Sequence, residues 1–403
     1  MKMFRAGLAG VCVAVLVGGA HGASPDPKTL VVPPAELSRA RELVEKLGND
    51  DFAVREDAQT RLLQMGRLAL SALSEGVATH PSPEVRFRCN WLLPRAEEAD
   101  LQARIDTFLA DTEGKFDHDL PGWAPFSEFA GSTLTARRVF VDLLSNSTNR
   151  SLMLGSAHAG ADLAQLVAAR KQEIYLWRFP RPPSTNRREP ALADMIALMF
   201  SESRVPSRLS VPTISVVSAL NTNALSEAIH GTGEKARVYK AVVVRWVETR
   251  DEPVAMYQAI TFATNLRLRE ASAMAARLVA LKTAPTFYRA QAAMSLSRLE
   301  ATEQIPALEA TFEDETMVIV VRRPNAAQEE IQMRDVGLAA ALLLAGQTPE
   351  DYGFTQQYKS SGEGIRYHYS NWVIAAEKRP AALSKWKTWR GEHPDFGKRK
   401  AGK

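Results

Sequence analysis

The sequence predicts an all-α protein in which antiparallel helix pairs stack into an α-solenoid. Apolar residues recur at intervals of three and four over most of the chain, the spacing that gives a helix one buried face. An arginine-led apolar pattern also returns after 31 residues (55 to 86) and after 45 residues (289 to 334), a range typical of helical-hairpin repeats. The β-branched run at residues 317–322 is the exception, and it predicts a small β-hairpin inserted near 316–323.

The N-terminal helices follow in order from these signals. The apolar face of the first helix is formed by Leu37, Ala40, Val44 and Leu47. Asp51, with the two residues before it, offers an N-cap for the second helix, which Gly66 ends. A third helix should reach about residue 80. Ser82 followed by Pro83 then predicts the start of a further helix.

The repeated pattern is an arginine followed at +3 by a small residue and at +7 and +10 by small or apolar residues. It begins at Arg55, Arg86, Arg289 and Arg334. Because the +3 residue is small in each copy, we expect two helices to approach closely at that position.

Some of these residues resemble a known family of helical repeats. The run Val54-Arg55-Glu56-Asp57-Ala58 resembles a HEAT repeat, and Glu84-Val85-Arg86 resembles the start of the next one. In the C-terminal half, residues 333–339, 345–354 and 385–389 resemble the end of large secreted bacterial HEAT-repeat proteins without an assigned activity. The resemblance covers about residues 37–110 and 250–392. It implies a HEAT-like α-solenoid with a binding surface, and it carries over no catalytic residue.

We therefore expect a chain of several segments. They are a signal peptide (1–22), a Pro-rich, mobile leader (23–36), N-terminal HEAT-like repeats (37–113), a divergent helical middle region with long loops (114–250), C-terminal HEAT-like repeats with an aromatic loop (251–392) and a basic tail (393–403) that frays from residue 397. Within the middle region, residues 115–132 read as a loop that Phe126 and Phe129 hold onto the helices, whereas residues 133–144, 159–177 and 190–202 read as helices.

The first residues have the three parts of a secretory signal. Lys2 and Arg5 form a positive start, an uncharged run follows from residue 7 to 20, and Ala20 and Gly22 place small residues before the cleavage point. We expect cleavage after Gly22, with cleavage after Ala23 as the alternative. The run is shorter than the about 20 apolar residues that span a bilayer, so no transmembrane anchor should remain. The protein should act in the periplasm or outside the cell.

Removal of this segment changes the charge and the cysteine count. The formal charge of +4 falls to +2 when Lys2 and Arg5 are lost, so no domain-wide positive field should attract nucleic acid. Of the two cysteines only Cys89 remains, which excludes an intramolecular disulfide. Its apolar helical neighbours predict a buried, structural thiol.

Three motifs resemble catalytic or binding sites without completing one. Asp117-His118-Asp119 has metal-ligand residue types but no second cluster nearby, so a solvated loop is expected. Ser156 and His158 lie outside a nucleophile elbow; Asp162 could pair with His158 on a helix. The glycines of residues 231–235 lack the order of a phosphate loop and predict a link between helices. We expect no catalytic residue, no metal site and no cofactor.

Two segments are candidate interaction surfaces. The Pro/Arg loop at residues 178–188 interleaves Arg181, Arg187 and Arg188 with aromatic residues, and it either faces a partner or a glycan or is a plain surface loop. Near the C-terminus a second, aromatic set consists of Tyr352, Phe354, Tyr358, Tyr367, Tyr369 and Trp372. These rings either close the core of the last repeat or form a recognition surface, and both interpretations stay open.

The sequence thus favours an exported, non-catalytic helical-repeat scaffold that binds another protein in the cell envelope. The alternative is an enzyme or glycan-acting protein with a site in residues 115–250, which a pocket holding His158 and Asp162 would support.

Overall fold

The computed structural model describes residues 26–180, 187–209, 214–321, 328–358 and 363–398. Most of these residues are helical, as predicted. The chain divides into two compact units, Met1–His118 and Asp119–Lys403, which we call unit 1 and unit 2. In the described residues, no helix is both long enough and apolar enough to cross a bilayer.

From residue 26 onward, unit 1 contains four α-helices after a short 3-10 turn at Pro27–Leu30. They are α1 (Pro34–Lys46), α2 (Phe52–Met65), α3 (Leu70–Thr79) and α4 (Pro83–Ala110). Helix α1 packs against α2 and α3, and α3 packs along α4. Their apolar faces share one core, which contains the predicted face of α1 at Ala40, Val44 and Leu47. Cys89 is fully buried in this core, as predicted, and burial raises the pKa of its thiol to about 11.

The helix starts in unit 1 follow the predicted signals. The Asp51 carboxylate accepts a hydrogen bond from the Ala53 N–H at 2.8 Å and caps α2, and α4 begins at Pro83. The repeated arginines Arg55 and Arg86 make equivalent hydrogen bonds at the starts of α2 and α4. Arg55 donates to the carbonyls of residues 49 and 50, and Arg86 donates to the carbonyls of residues 80 and 81, all within 2.7–3.0 Å. The arginine that begins each copy of the pattern therefore connects its helix to the preceding loop.

Two expectations for unit 1 need correction. The leader is not free of the unit, because the turn at Pro27–Leu30 contacts α4 and the Leu30 carbonyl accepts a hydrogen bond from Arg67 at 2.6 Å. His118 is not in a solvated loop. Its Nε2 lies 3.0 Å from the carboxylate of the fully buried Asp111, and its ring meets Phe108 edge-on. Asp111 also accepts two backbone N–H bonds, so a local carboxylate organises this loop.

Unit 2 contains the remaining helices and two strand pairs. The helices are α5 (Trp123–Ala130), α6 (Leu134–Ser145), α7 (Arg150–Gly155), α8 (Ala161–Arg178), α9 (Leu192–Arg204), α10 (Ile214–Leu220), α11 (Asn223–His230), α12 (Glu234–Glu248), α13 (Pro253–Asn265), α14 (Ser272–Ala280), α15 (Thr286–Arg298), α16 (Ile305–Glu309), α17 (Met333–Leu344), α18 (Glu363–Arg366) and α19 (Arg379–Glu392). The strands are β1 (Met317–Val321), β2 (Glu329–Gln332), β3 (Thr355–Gln356) and β4 (Trp372–Val373).

Contacts between the helices of unit 2 run in succession. Helix α9 packs on α12, α12 on α13, α13 on α15 and α15 on α17. The predicted helices over 133–144, 159–177 and 190–202 are confirmed as α6, α8 and α9 within two residues at most ends. The predicted link at 231–235 is the turn between α11 and α12, where Gly233 has a φ of 93°.

The segment 115–132 is not wholly a loop, because α5 forms inside it. Phe126 is fully buried, and its ring contacts Phe140 and Phe200 at centroid distances of 5.3 and 5.2 Å. The aromatic residues that we expected to hold a loop onto the helices are therefore part of a helix in the core. Burial of those rings stabilises a short segment that local periodicity does not identify as helical.

The predicted β-branched run forms β1, which makes an antiparallel hairpin with β2, a strand that lies beyond the predicted range of 316–323. The hairpin precedes α17, whose Gly337 is the +3 residue of the last arginine pattern. A Cβ built on Gly337 would lie 1.8 Å from the Thr311 Oγ1, so the close helix approach expected at +3 is present here. The predicted fraying from residue 397 does not hold for Gly397, which packs on Ile305.

Candidate functional site

The Ser156, His158 and Asp162 set does not assemble. Ser156 is fully buried, and its hydroxyl lies 2.7 Å from the Leu152 carbonyl and 2.9 Å from the hydroxyl of Ser201. His158 and Asp162 are exposed. The serine therefore serves to join α7 to α9, and this geometry offers no nucleophile beside a base.

A buried ionic network occupies the middle of unit 2. The Glu202 carboxylate accepts hydrogen bonds from Lys171 Nζ and Trp246 Nε1, both at 2.7 Å, and lies 3.3 Å from the Arg250 guanidinium. Arg250 also donates to the Glu202 carbonyl at 3.0 Å, and its own carbonyl accepts from Arg277. The network thus connects α8, α9, α12 and α14.

The charge state of Glu202 follows from these contacts. Burial by itself raises the pKa of this carboxyl, but the positive charges of Lys171 and Arg250 outweigh it, and hydrogen bonds from Lys171 and Trp246 add to their effect. The pKa of Glu202 therefore lies below its ordinary value of 4.5. Burial lowers the pKa of Arg250, although Glu202 opposes that change. Glu202 is thus an anion at neutral pH, compensated on every side, which suits a structural ion pair.

A second buried ion pair lies at the start of α9. Arg170 donates to Asp194 at 2.7 Å and to Asn149 at 3.1 Å, and Asp194 also caps α9 by accepting from the Ala191 N–H. In the described part of the chain, no group of three or more His, Cys, Asp or Glu side chains has a metal-binding arrangement. The buried pairs Arg170–Asp194 and Lys171–Glu202 therefore hold α8 and α9 together.

The predicted aromatic surface separates into buried and accessible rings. Tyr352, Phe354 and Trp372 are only 5%, 2% and 2% exposed. The prediction that they are recognition residues is therefore wrong, and they close the core instead. Trp372 donates its indole N–H to the Arg366 carbonyl at 2.9 Å. Their burial follows from the β3–β4 pair, which folds this segment back against α17.

The accessible rings are Tyr358, Tyr367 and Tyr369. Tyr358 is 49% exposed, and Tyr367 and Tyr369 are half-buried in the loop before β4. The side chain of Gln291 on α15 donates to the Tyr367 carbonyl at 3.3 Å and fixes this loop to the helix.

The sequence analysis missed further aromatic residues on α13 and α15, and this loop contributes two more rings. Tyr257 on α13 and Tyr288 on α15 stack with a centroid distance of 4.4 Å, Phe287 lies 4.2 Å from Tyr288, and His368 stacks on Tyr369 at 4.4 Å. We call Tyr257, Phe287, Tyr288, His368 and Tyr369 the tyrosine patch. A signal was present, since Tyr257 and Tyr288 are 31 residues apart, the same spacing as Arg55 and Arg86.

The tyrosine patch lies at the boundary between core and solvent, because its residues are exposed or half-buried. Burial raises the pKa of the Tyr257 hydroxyl, and the hydroxyls of Tyr369 and Tyr288 raise it further. Burial lowers the pKa of His368. The patch is therefore uncharged at neutral pH and offers flat rings and neutral hydroxyls, which suit contact with another molecule.

The arginine loop is partly described. Arg181 lies outside the described residues. Arg187 and Arg188 are exposed, and their guanidinium groups lie 5.5 Å from the centroid of Phe179 and 4.2 Å from that of Trp177. Arg178 pairs with Glu189 at 2.7 Å. The structure thus brings the predicted arginines onto the aromatic residues at the end of α8.

One groove of about 480 Å³ lies between α16 and α19. Its apolar lining includes Phe312 and Trp386, and Glu309 accepts hydrogen bonds from Trp386 and Arg390, both at 3.1 Å. Trp386 is 1% exposed and therefore lies in the core.

The molecule was also compared with known proteins. No family model, no curated protein and no solved structure matches this chain.

Proposed function

We propose that this protein is an exported, non-catalytic scaffold with a HEAT-like α-solenoid fold that binds another protein through the tyrosine patch of unit 2. The observation that carries the proposal is the patch itself. Two helices and a loop contribute its residues, all of which are exposed or half-buried, and Phe287 is 40% exposed.

The proposed repeat architecture has support in each unit. In unit 1, Arg55 and Arg86 make equivalent bonds to the loops before their helices. In unit 2, contacts pass from α9 to α12, α13, α15 and α17 in succession, which is how repeats contact only their neighbours. Stacked helices of this kind leave an extended surface free for a partner.

The composition of the tyrosine patch supports a protein partner. Tyrosine gives large contact area at a low cost in conformational entropy and is enriched at protein interfaces. The patch residues are also held before binding, since Tyr257 and Tyr288 stack on each other and Gln291 anchors the loop of Tyr367. Such preorganisation favours affinity because fewer side chains must be ordered on binding.

Site-specific photo-crosslinking tests this proposal. A benzoylphenylalanine placed at Phe287 should crosslink a discrete protein from cell-envelope extract, and Tyr257→Ala with Tyr369→Ala should abolish that product. The same probe at Met317, which is 52% exposed on β1 of the same unit, is the matched control and should give no such product. Equal labelling from both positions, or labelling that survives the loss of both tyrosines, would reject the tyrosine patch as the binding surface.

A further inference from the structure

A second surface in unit 2 has a different chemistry from the tyrosine patch. Trp177, Phe179, Arg178, Arg187 and Arg188 at the end of α8 form what we call the arginine–aromatic cluster. We infer that the arginine–aromatic cluster binds the carboxylates of an acidic peptide segment of a partner protein. The inference does not depend on the tyrosine patch.

The geometry of the cluster fixes the two exposed guanidinium groups. Arg188 lies over the Trp177 ring, and its backbone N–H donates to the Trp177 carbonyl at 3.0 Å. Arg187 lies over the Phe179 ring, and its Nε donates to the Arg178 carbonyl at 2.8 Å. An arginine held by stacking loses less conformational freedom when it binds, because its planar group is already oriented.

Only some of the arginines in and around the cluster have an acidic partner. Arg178 is paired with Glu189, and the nearby Arg170 is paired with Asp194 and Glu173. Arg187 and Arg188 are exposed, and within the described ranges neither has an acidic partner within 4.0 Å. Two fixed, uncompensated guanidinium groups are suited to bidentate hydrogen bonds with carboxylates.

The rings themselves argue for a peptide and against an acidic sugar. A sugar-binding aromatic ring needs an open face. Here two guanidinium groups, those of Arg188 and Arg170, lie 4.2 and 4.8 Å from the centroid of Trp177. Phe179 has Arg187 over its ring and Tyr175 at a centroid distance of 5.3 Å. What remains for a ligand is the hydrogen-bonding edge of the arginines, which binds a carboxylate without the ring stacking that a sugar-binding site uses.

Calorimetric titration of the full chain tests the inference with defined probes. We expect hexaglutamate to bind, with an affinity that falls as salt is added, and hexaglutamine to show no binding. Arg187→Ala with Arg188→Ala should weaken hexaglutamate binding at least about tenfold, the loss expected from a charge-assisted hydrogen bond. Arg187→Lys with Arg188→Lys keeps the charge but not the planar fork, and it should also weaken binding.

The matched control removes the same charge elsewhere. Arg41→Ala with Arg61→Ala changes two arginines that are exposed and paired in unit 1, and it should leave hexaglutamate binding unchanged. Each of four outcomes would overturn the inference: equal binding of hexaglutamine, tighter binding of trigalacturonate than of hexaglutamate, wild-type affinity in the Ala pair, or equal weakening in the control. Circular dichroism of each variant verifies its fold, and wild-type affinity in the Lys pair would reject bidentate recognition.

Discussion

Gly337 shows how tightly single residues are packed in unit 2. A Cβ at this position would meet the Thr311 Oγ1 at 1.8 Å and the Leu308 carbonyl at 3.3 Å. Thr311 cannot turn away without cost, because its hydroxyl donates to that same carbonyl at 2.7 Å. The small residue of the repeated pattern is therefore required by a neighbouring element that is remote in sequence from the arginine that starts the pattern.

We expect Gly337→Ala to lower the free energy of unfolding by about 1–3 kcal/mol, as for other overpacked cores. Gly391→Ala is the matched control, since it also lies in a helix, α19, but its Cβ would meet no atom within 4 Å. That variant should be neutral or slightly stabilising because alanine favours helix. Urea denaturation measures both, and equal stabilities of the two variants would contradict the close approach at Gly337.

Glu202 makes the stability of unit 2 depend on pH. Its pKa in the folded protein is below the ordinary 4.5, so its contribution to stability is present above that value and is lost as the pH falls through the folded pKa. Glu202→Gln removes the charge and leaves Lys171 and Arg250 without their anion. At neutral pH we expect it to cost about 3–5 kcal/mol, as for other broken buried pairs.

The stability difference between the wild type and Glu202→Gln should therefore be largest near neutral pH and shrink as the pH drops below 4.5. Urea denaturation across this pH range measures it. Glu75→Gln is the control. It breaks the exposed pair with Arg41, whose side chains are half-exposed, and it should change stability much less. A difference between wild type and Glu202→Gln that stays constant with pH would show that Glu202 does not titrate as proposed.

At the residue scale, the sequence shows which arginine and aromatic residues lie close together only where they are close along the chain. Arg187 and Arg188, which lie over Phe179 and Trp177, are eight and eleven residues away from those rings. The sequence left open whether Tyr352 closes the core or is a recognition residue, because the β3–β4 pair and α17 that cover this segment are recognisable only in three dimensions.

At the scale of elements, the start of each repeated helix in unit 1 is tied to the preceding loop. Arg86 donates to two carbonyls of that loop, at 2.7 and 2.8 Å, just as Arg55 does at its own helix. These bonds satisfy carbonyls that no helix or strand pairs. They give the repeated arginine a physical role that periodicity alone cannot supply.

Arg86→Met should keep much of the side-chain volume but remove these hydrogen bonds, and we expect it to cost about 1–3 kcal/mol in the free energy of unfolding. Arg55→Met should cost a similar amount. Arg61→Met, which breaks only an exposed pair with Asp57, should cost clearly less. Thermal and urea unfolding compare the three variants. If Arg61→Met were as damaging as Arg86→Met, the loop contacts would not be the reason for the repeated arginine.

For the whole molecule, we predict the compartment from a segment that lies outside the described residues. We expect the chain expressed in an exporting host to be recovered with Ala23 as its first residue, as measured by intact mass. Ala20→Arg should block processing because it replaces a small residue that the peptidase reads, whereas His21→Leu should leave processing intact. Recovery of the wild type with residue 1 still attached would contradict export by a cleaved signal, and a start at Ser24 would select the alternative cleavage point.

The sequence was sufficient to predict the helical class, the ends of α2, α6, α8 and α9, the start of α4, the strand β1 and the burial of Cys89. These features depend on local periodicity, caps and short-range polar contacts, which can be read along the chain. The packing in three dimensions decided that α5 forms within the predicted loop, that His118 is buried against Asp111 and that the network around Glu202 and Arg250 connects four helices. It also decided which aromatic rings stay accessible, because burial depends on residues far apart in sequence. Tyr257, Tyr288 and Tyr369 meet only when α13, α15 and the loop before β4 pack together.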